Sequence, residues 1–182
     1  VLTIHTADLL VPGGGRSPLP GGAVLVEGQR IAAVEVYDDL AAAHPSARVR
    51  RWPGVLTPGL LEPHGPELLE RSYHPDPRED LGTEPLTGEA LASLAMTDTR
   101  WGASARRGVQ RLLARGTVAV VGPLRRPAVI DAVHRSGLRI QDGATEAVPP
   151  ALVPGAEATF AVFDAPECVA TVIRGRLLHR RR

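Results

Sequence analysis

The sequence predicts an α/β protein that reads as β, then α/β, then β. Short apolar, strand-like runs occupy both ends of the chain, and the stretch between them alternates helical with strand-like patterns. With only two Trp, two Tyr and two Phe, the core must be built from Ala, Val, Leu and Ile. A length of 182 residues suffices for one domain or two small lobes. It falls short of a complete eight-stranded α/β barrel, which needs about 250 residues.

The first fifty residues read as short strands, "VLTIHTADLLV", "GAVLVEGQRIAAVEV" and "ARVRRW". In the second, apolar residues alternate on both sides of Gly28-Gln29, the pattern of a tight β-hairpin. "PGGGRSPLPGG" is a loop, and "DDLAAAHPSA" a short helical turn or loop before the third strand. "VLTPGLLEPH" reads as a buried strand in two pieces, broken by Pro58-Gly59. From His64 to Gly88 the chain is rich in Pro, Glu, Asp and Arg without periodicity, which predicts a long exposed loop. Helices are expected near residues 88–97 and 101–115, the second closed by Arg115-Gly116. "TVAVVG" is an all-apolar strand of the kind buried on both faces in parallel sheets. "RPAVIDAVHRSG" is a helix with Pro at its start and Gly after its end, and "LRIQDG" a further strand. Strand, helix, strand, helix, strand in this order predicts a parallel βαβαβ unit. The C-terminal "ATFAVFDAPECVATVIRGRLLHRR" gives two or three antiparallel strands with turns at Asp164–Glu167 and Arg174-Gly175. The two β ends are expected to pair into one sheet system enclosing the middle.

Composition narrows the chemistry. All 21 basic residues are arginine, and the chain contains neither Lys nor Asn, a usage expected of a very GC-rich genome such as those of actinobacteria. Without lysine there is no Schiff-base nucleophile, no P-loop lysine and no carbamylated-lysine metal bridge. A formal charge of +1 and the lack of aromatic interleaving give no reason to expect nucleic acid, so the basic tail "RGRLLHRRR" reads as a solvated terminus. Cys168 is the single cysteine and cannot form an internal disulfide. No apolar run approaches a membrane span and no signal-peptide pattern opens the chain, so a cytoplasmic location is expected. Its first residue is Val1 rather than Met, compatible with a valine-type start codon or with trimming.

Four segments carry a family resemblance: "GAVLVEGQRIAAV", "VLTPGLLEPHG", "ARRGVQRLLARGTVAVVG" and "PGAEATFAVFDAPECVATVIRGRLL". Together they resemble the amidohydrolase superfamily, most closely its imidazolonepropionase and aminodeoxyfutalosine deaminase branch. The resemblance implies a composite β-sandwich made from both chain ends, with a metal-dependent TIM-like barrel inserted between them. Here the sandwich would span residues 1–55 and 152–182, and a truncated βαβαβ lobe residues 56–151. Two departures stand out. In the return to the sandwich, Gly155, Ala156, Glu157 and Ala158 are followed by Thr159 where the family pattern has aspartate. In the opening Asp-x-His-x-His motif, Glu62 takes the aspartate position, His64 the first histidine and Pro66 the second. Proline has no ligand atom, and a catalytic zinc needs about three protein ligands with an open position.

The candidate site residues follow from that comparison. His64 reads as a residual ligand or general base, or else as an inherited residue that hydrogen-bonds the following loop. Asp142 ends the strand "LRIQD" and should lie at the same sheet edge, making it the second catalytic candidate. Glu62, Glu67 and His74 complete a weak metal set around His64. His134 reads as a cation at a helix C-terminus and Cys168 as a small packed hydrophobe. The chain is expected to be a non-catalytic binding or scaffolding relative without a cofactor. The alternative is a C–N hydrolase of cyclic amides or aminopurines, with zinc or iron in a site completed by another subunit. Three barrel strands cannot close, so a homodimer or a protein partner is expected to cover the open edge.

Overall fold

The computed structural model describes residues 1–143 and 148–181. Its fold is mixed α/β with several sheets and, among the described residues, no closed barrel. The chain divides into two compact units: Val1–Leu60, Leu113–Val118 and Val148–Arg182 form the first, Leu61–Leu112 and Ala119–Ala147 the second.

In the first unit, β1 (Leu2–Thr6), β2 (Leu9–Leu10), β3 (Leu19–Pro20), β4 (Gly22–Glu27) and β5 (Arg30–Val36) precede α1 (Tyr37–Ala43), β6 (Arg48–Arg51) and β7 (Val55–Thr57). The chain returns to this unit in β11 (Phe160–Asp164), β12 (Glu167–Ile173) and β13 (Arg176–Arg180). One sheet has the order β5-β4-β1-β6, the other β13-β12-β11-β7-β2-β3. A shared apolar cluster takes Val24, Val26 and Ile31 from the first sheet and Leu10, Leu56, Phe160, Val162, Ala170 and Val172 from the second. The alternate residues of β4, Ala23 and Leu25, are buried on the opposite face with Ile4 and Leu40 of α1. This is why "GAVLV" is apolar at every position: both faces of β4 are covered.

The predicted N-terminal strand is in fact two, β1 and β2, paired in different sheets. The switch occurs at Ala7-Asp8, where Asp8 Oδ2 accepts from Gly54 N at 2.7 Å and Leu9 N donates to Gly54 O at 3.1 Å. Both predicted hairpins form. Gly28 (φ 59°) leads the β4–β5 turn, and Arg174 (φ 51°) and Gly175 (φ 73°) make the β12–β13 turn, the backbone signs that suit two-residue loops. A Cβ at Gly175 would collide with the carbonyl oxygen of Gly28, so one turn needs glycine for the other to approach.

The second unit contains most of a three-stranded sheet of order β10-β9-β8, from β8 (Leu60–Glu62), β9 (Thr117–Val121) and β10 (Arg139–Gln141). β9 and β10 are parallel, as predicted for a βαβαβ unit. Between β8 and β9 lie α2 (Gly65–Leu69), a 3-10 turn (Pro77–Glu79), α3 (Gly88–Ala92) and α4 (Asp98–Ala114); α5 (Pro127–Ser136) links β9 to β10. In α4, Trp101, Ala105, Val109 and Leu112 recur at helical spacing and are buried. In α5 the buried positions are Val129, Ala132 and Val133.

The predicted exposed loop from His64 to Gly88 is corrected by the structure: Leu69, Ser72, Tyr73 and His74 are buried. Side-chain bonds, rather than a periodic apolar stripe, order it. Tyr73 OH donates to Glu79 Oε2 at 2.7 Å, and Asp76 and Glu79 form a reciprocal capping box around the 3-10 turn. The backbones of Tyr73 and Leu86 exchange two hydrogen bonds at 2.8 Å.

Candidate functional site

Strand ends of the second unit carry Glu62, His64 and Asp142. β8 stops at Glu62, and His64 already has φ −108° and ψ 43° as the N-cap residue of α2. Gly65 and Pro66 then open the helix. Proline suits a first helical turn because the amide hydrogen it lacks would have no intrahelical partner there. Gly65 suits it because any Cβ would strike the carbonyl oxygen of Val121 at the end of β9. Glu62, His64 and Pro66 therefore do not alternate along one extended strand, which is the arrangement a two-histidine strand motif requires.

His64 is exposed, beside a cleft of about 390 Å³ lined also by Pro66, Glu67, Glu70, Arg71, Pro123 and Arg125. Its backbone N–H donates to Glu62 Oε1 at 2.8 Å, so this carboxylate is turned onto the chain itself. Glu67 pairs with Arg71 at 3.1 Å across one turn, at the surface. Glu70 is absent from the candidates read in the sequence, yet its carboxylate organises the far wall: Oε1 accepts from Arg125 N at 2.7 Å and Arg126 N at 2.5 Å, where α5 begins. A carboxylate there complements the positive end of the helix dipole. Only the acidic residue at the end of "GPELLE" hints at this, and its partners are 55 and 56 residues away.

His74 sits elsewhere in the unit, buried with Nε2 2.8 Å from Leu68 O and its backbone N–H donating to Ser104 Oγ at 2.9 Å. Its ring lies so close to α4 that a Cβ at Gly108 would stand 2.6 Å from Nε2. Beside it, Tyr73, Arg100 and Glu79 form a satisfied polar network, with Arg100 Nη2 on Glu79 Oε1 at 3.0 Å. The Tyr73 hydroxyl, the Asp76 N–H and Arg100 pull the Glu79 carboxyl down to about 2. Arg107 donates from Nε to His74 O at 2.7 Å and faces Asp76 at 3.6 Å. Asp142 is exposed just beyond β10. In the first unit, Cys168 is buried, and burial pushes its thiol pKa up, as suits a packed residue rather than a nucleophile.

Among the described residues no group of three His, Cys, Asp or Glu side chains is placed to hold a metal ion. The donors near His64 do not fit a catalytic zinc: one imidazole, a proline, and carboxylates engaged elsewhere, Glu62 by backbone, Glu67 by Arg71 and Glu70 by the Arg125 and Arg126 amides. Among the described residues, too, no helix is long and apolar enough to cross a membrane.

A family model, the bacterial imidazolonepropionase-like composite domain, matches residues 22–47, which run from the start of β4 past α1. No curated protein matches the sequence. Among solved structures, A. niger ochratoxinase aligns with a TM-score of 0.51 and 24% identity, over 78% of this chain and 30% of that one. Helicobacter pylori aminofutalosine deaminase gives 0.51 and 14%, over 77% and 32%. A zinc-bound adenosine deaminase from Xanthomonas campestris gives 0.51 and 18%, over 76% and 32%. The chain thus spans about a third of the length of these structures. Over about three quarters of its length the chain is similar in fold to part of these ochratoxinase and deaminase structures, and one segment is similar to the composite domain.

Proposed function

We propose that this chain is a binding or scaffolding module on an amidohydrolase-like frame, not itself a metal-dependent hydrolase. The observation that carries the reading is Pro66. It stands where the resemblance calls for a second histidine, and it occupies the first turn of α2, a position that favours proline for its own conformational reasons. In this reading residues 1–55 and 152–182 act as a composite sandwich, and residues 56–151 as the remnant of a barrel. The core shared by the two sheets of the first unit supports the sandwich, and the order β10-β9-β8 supports the remnant.

A second reading rests on His64, which lies exposed beside a cleft at the strand ends. There the chain would be a C–N hydrolase whose site another subunit completes, with His64 and Asp142 contributing. Assays on cyclic amides and aminopurines, with zinc or iron supplied, separate the two. The module reading expects no turnover above buffer; turnover that disappears in His64→Ala would sink it.

The outer edges of β8 and β10 have no strand partner among the described residues, and unpaired edges invite association. The reading therefore includes self-association through a second copy of the chain. Light scattering after size exclusion should give twice the 19.3 kDa chain mass, and a clean monomer at high concentration would remove this part.

A further inference from the structure

Away from the strand ends, the first unit gathers arginines that have no carboxylate at ion-pair distance among the described residues. Arg48 and Arg50 are two apart on β6 and so share a face of that strand. Arg50 stands directly across from His5 on β1. The His5 ring stacks on Trp52 with centroids 6.1 Å apart, and the Arg180 guanidinium of β13 lies 5.9 Å from the Trp52 ring centre. β6 and β13 are each the last strand of their sheet, and the Trp52 ring links them: it stacks on His5, whose strand neighbour is Arg50, and carries Arg180 beside it.

None of the three has a carboxylate within ion-pair distance among the described residues. Six other arginines, Arg71, Arg100, Arg107, Arg135, Arg174 and Arg181, each face an acid. Arg50 Nε is in addition shielded from solvent with no acceptor. Burial, and the charges of Arg48 and Arg180, weaken Arg50's hold on its proton. Three like charges brought together in this way repel one another unless an anion joins them.

We infer that Arg48, Arg50 and Arg180 form an oxoanion site in the first unit, built for a phosphate-type dianion. Guanidinium groups offer planar pairs of donors, and a tetrahedral dianion has enough acceptor lone pairs to engage three of them, whereas one carboxylate satisfies a single fork. Trp52 already lies against His5 and Arg180, so the site reads the phosphate group and offers no free ring for stacking a base. This inference stands independently of the role of Pro66.

The test is calorimetric titration of the full chain with inorganic phosphate and, separately, glycerol phosphate, at ionic strength held constant with chloride. Saturable binding is expected, accompanied by a rise in Tm. Affinity should fall about tenfold or more in Arg50→Gln and in Arg180→Gln. It should be unchanged in Arg135→Gln, an exposed residue of α5 whose ion-pair partner is Asp131. Equal binding of both probes assigns the site to any terminal phosphate, tighter binding of the ester to phosphorylated metabolites, and binding of inorganic phosphate alone to the free ion. No binding beyond that of chloride overturns the inference, as does affinity that survives both arginine changes in proteins whose circular dichroism is native.

Discussion

At the residue scale, His5 shows how burial decides the state of a side chain. Its Nδ1 accepts from Trp52 Nε1 at 3.2 Å, which requires a lone pair there and so a neutral ring with its proton on Nε2. Burial first, then the charges of Arg50 and Arg48, lower its pKa from 6.5 to about 3. Because the folded value lies below the unfolded one, the unfolded chain takes up more protons in between. The contribution is complete above pH 6.5 and is lost as the pH falls toward 3. Glu79, held at about 2 against an ordinary 4.5, acts in the same direction but at lower pH than His5. Urea unfolding between pH 6.5 and about 5 should lose up to about 1.4 kcal/mol per pH unit. In His5→Gln, which keeps an acceptor for Trp52, that slope should flatten; an equal slope in both proteins would contradict the assignment. Nothing in the sequence announced this role, because Trp52 is 47 residues from His5.

At the scale of elements, α5 depends on a residue outside itself. Its N-cap, Arg126, provides no side-chain cap, and the Glu70 carboxylate takes the Arg125 and Arg126 amides instead. Glu70→Ala should therefore destabilise the second unit by about 1–2 kcal/mol, with Glu70→Gln intermediate, as read from denaturant midpoints. A loss within error for both would mean that solvent satisfies these amides equally well. The same elements show where sequence reading succeeds. α4 and α5 are legible from their apolar spacing and from Gly137 after Ser136, and the hairpins from Gly28 and Gly175, because those signals are local. The segment from Glu67 to Leu86 is not legible, since Tyr73, Glu79, Arg100 and Arg107 order it through contacts between separate stretches of chain. Likewise "TIHTADLL" gives no sign that it changes sheets at Asp8, whose partner is Gly54.

At the scale of the whole molecule, the order β, α/β, β was readable because both chain ends carry dense apolar runs, and those runs contribute to a shared apolar cluster in the first unit. The candidate site was readable only in composition. Glu62, His64 and Pro66 have the spacing of a strand motif, whereas the backbone turns into α2 at His64 and commits Glu62 to the chain itself. In the proposed reading, that local turn separates a retained frame from a retained metal centre. The most direct test is metal content after purification and dialysis against zinc, for the native chain and for His64→Ala. The account predicts substoichiometric zinc and iron in both, with no difference between them. One equivalent of either metal in the native chain, lost on changing His64, would contradict it.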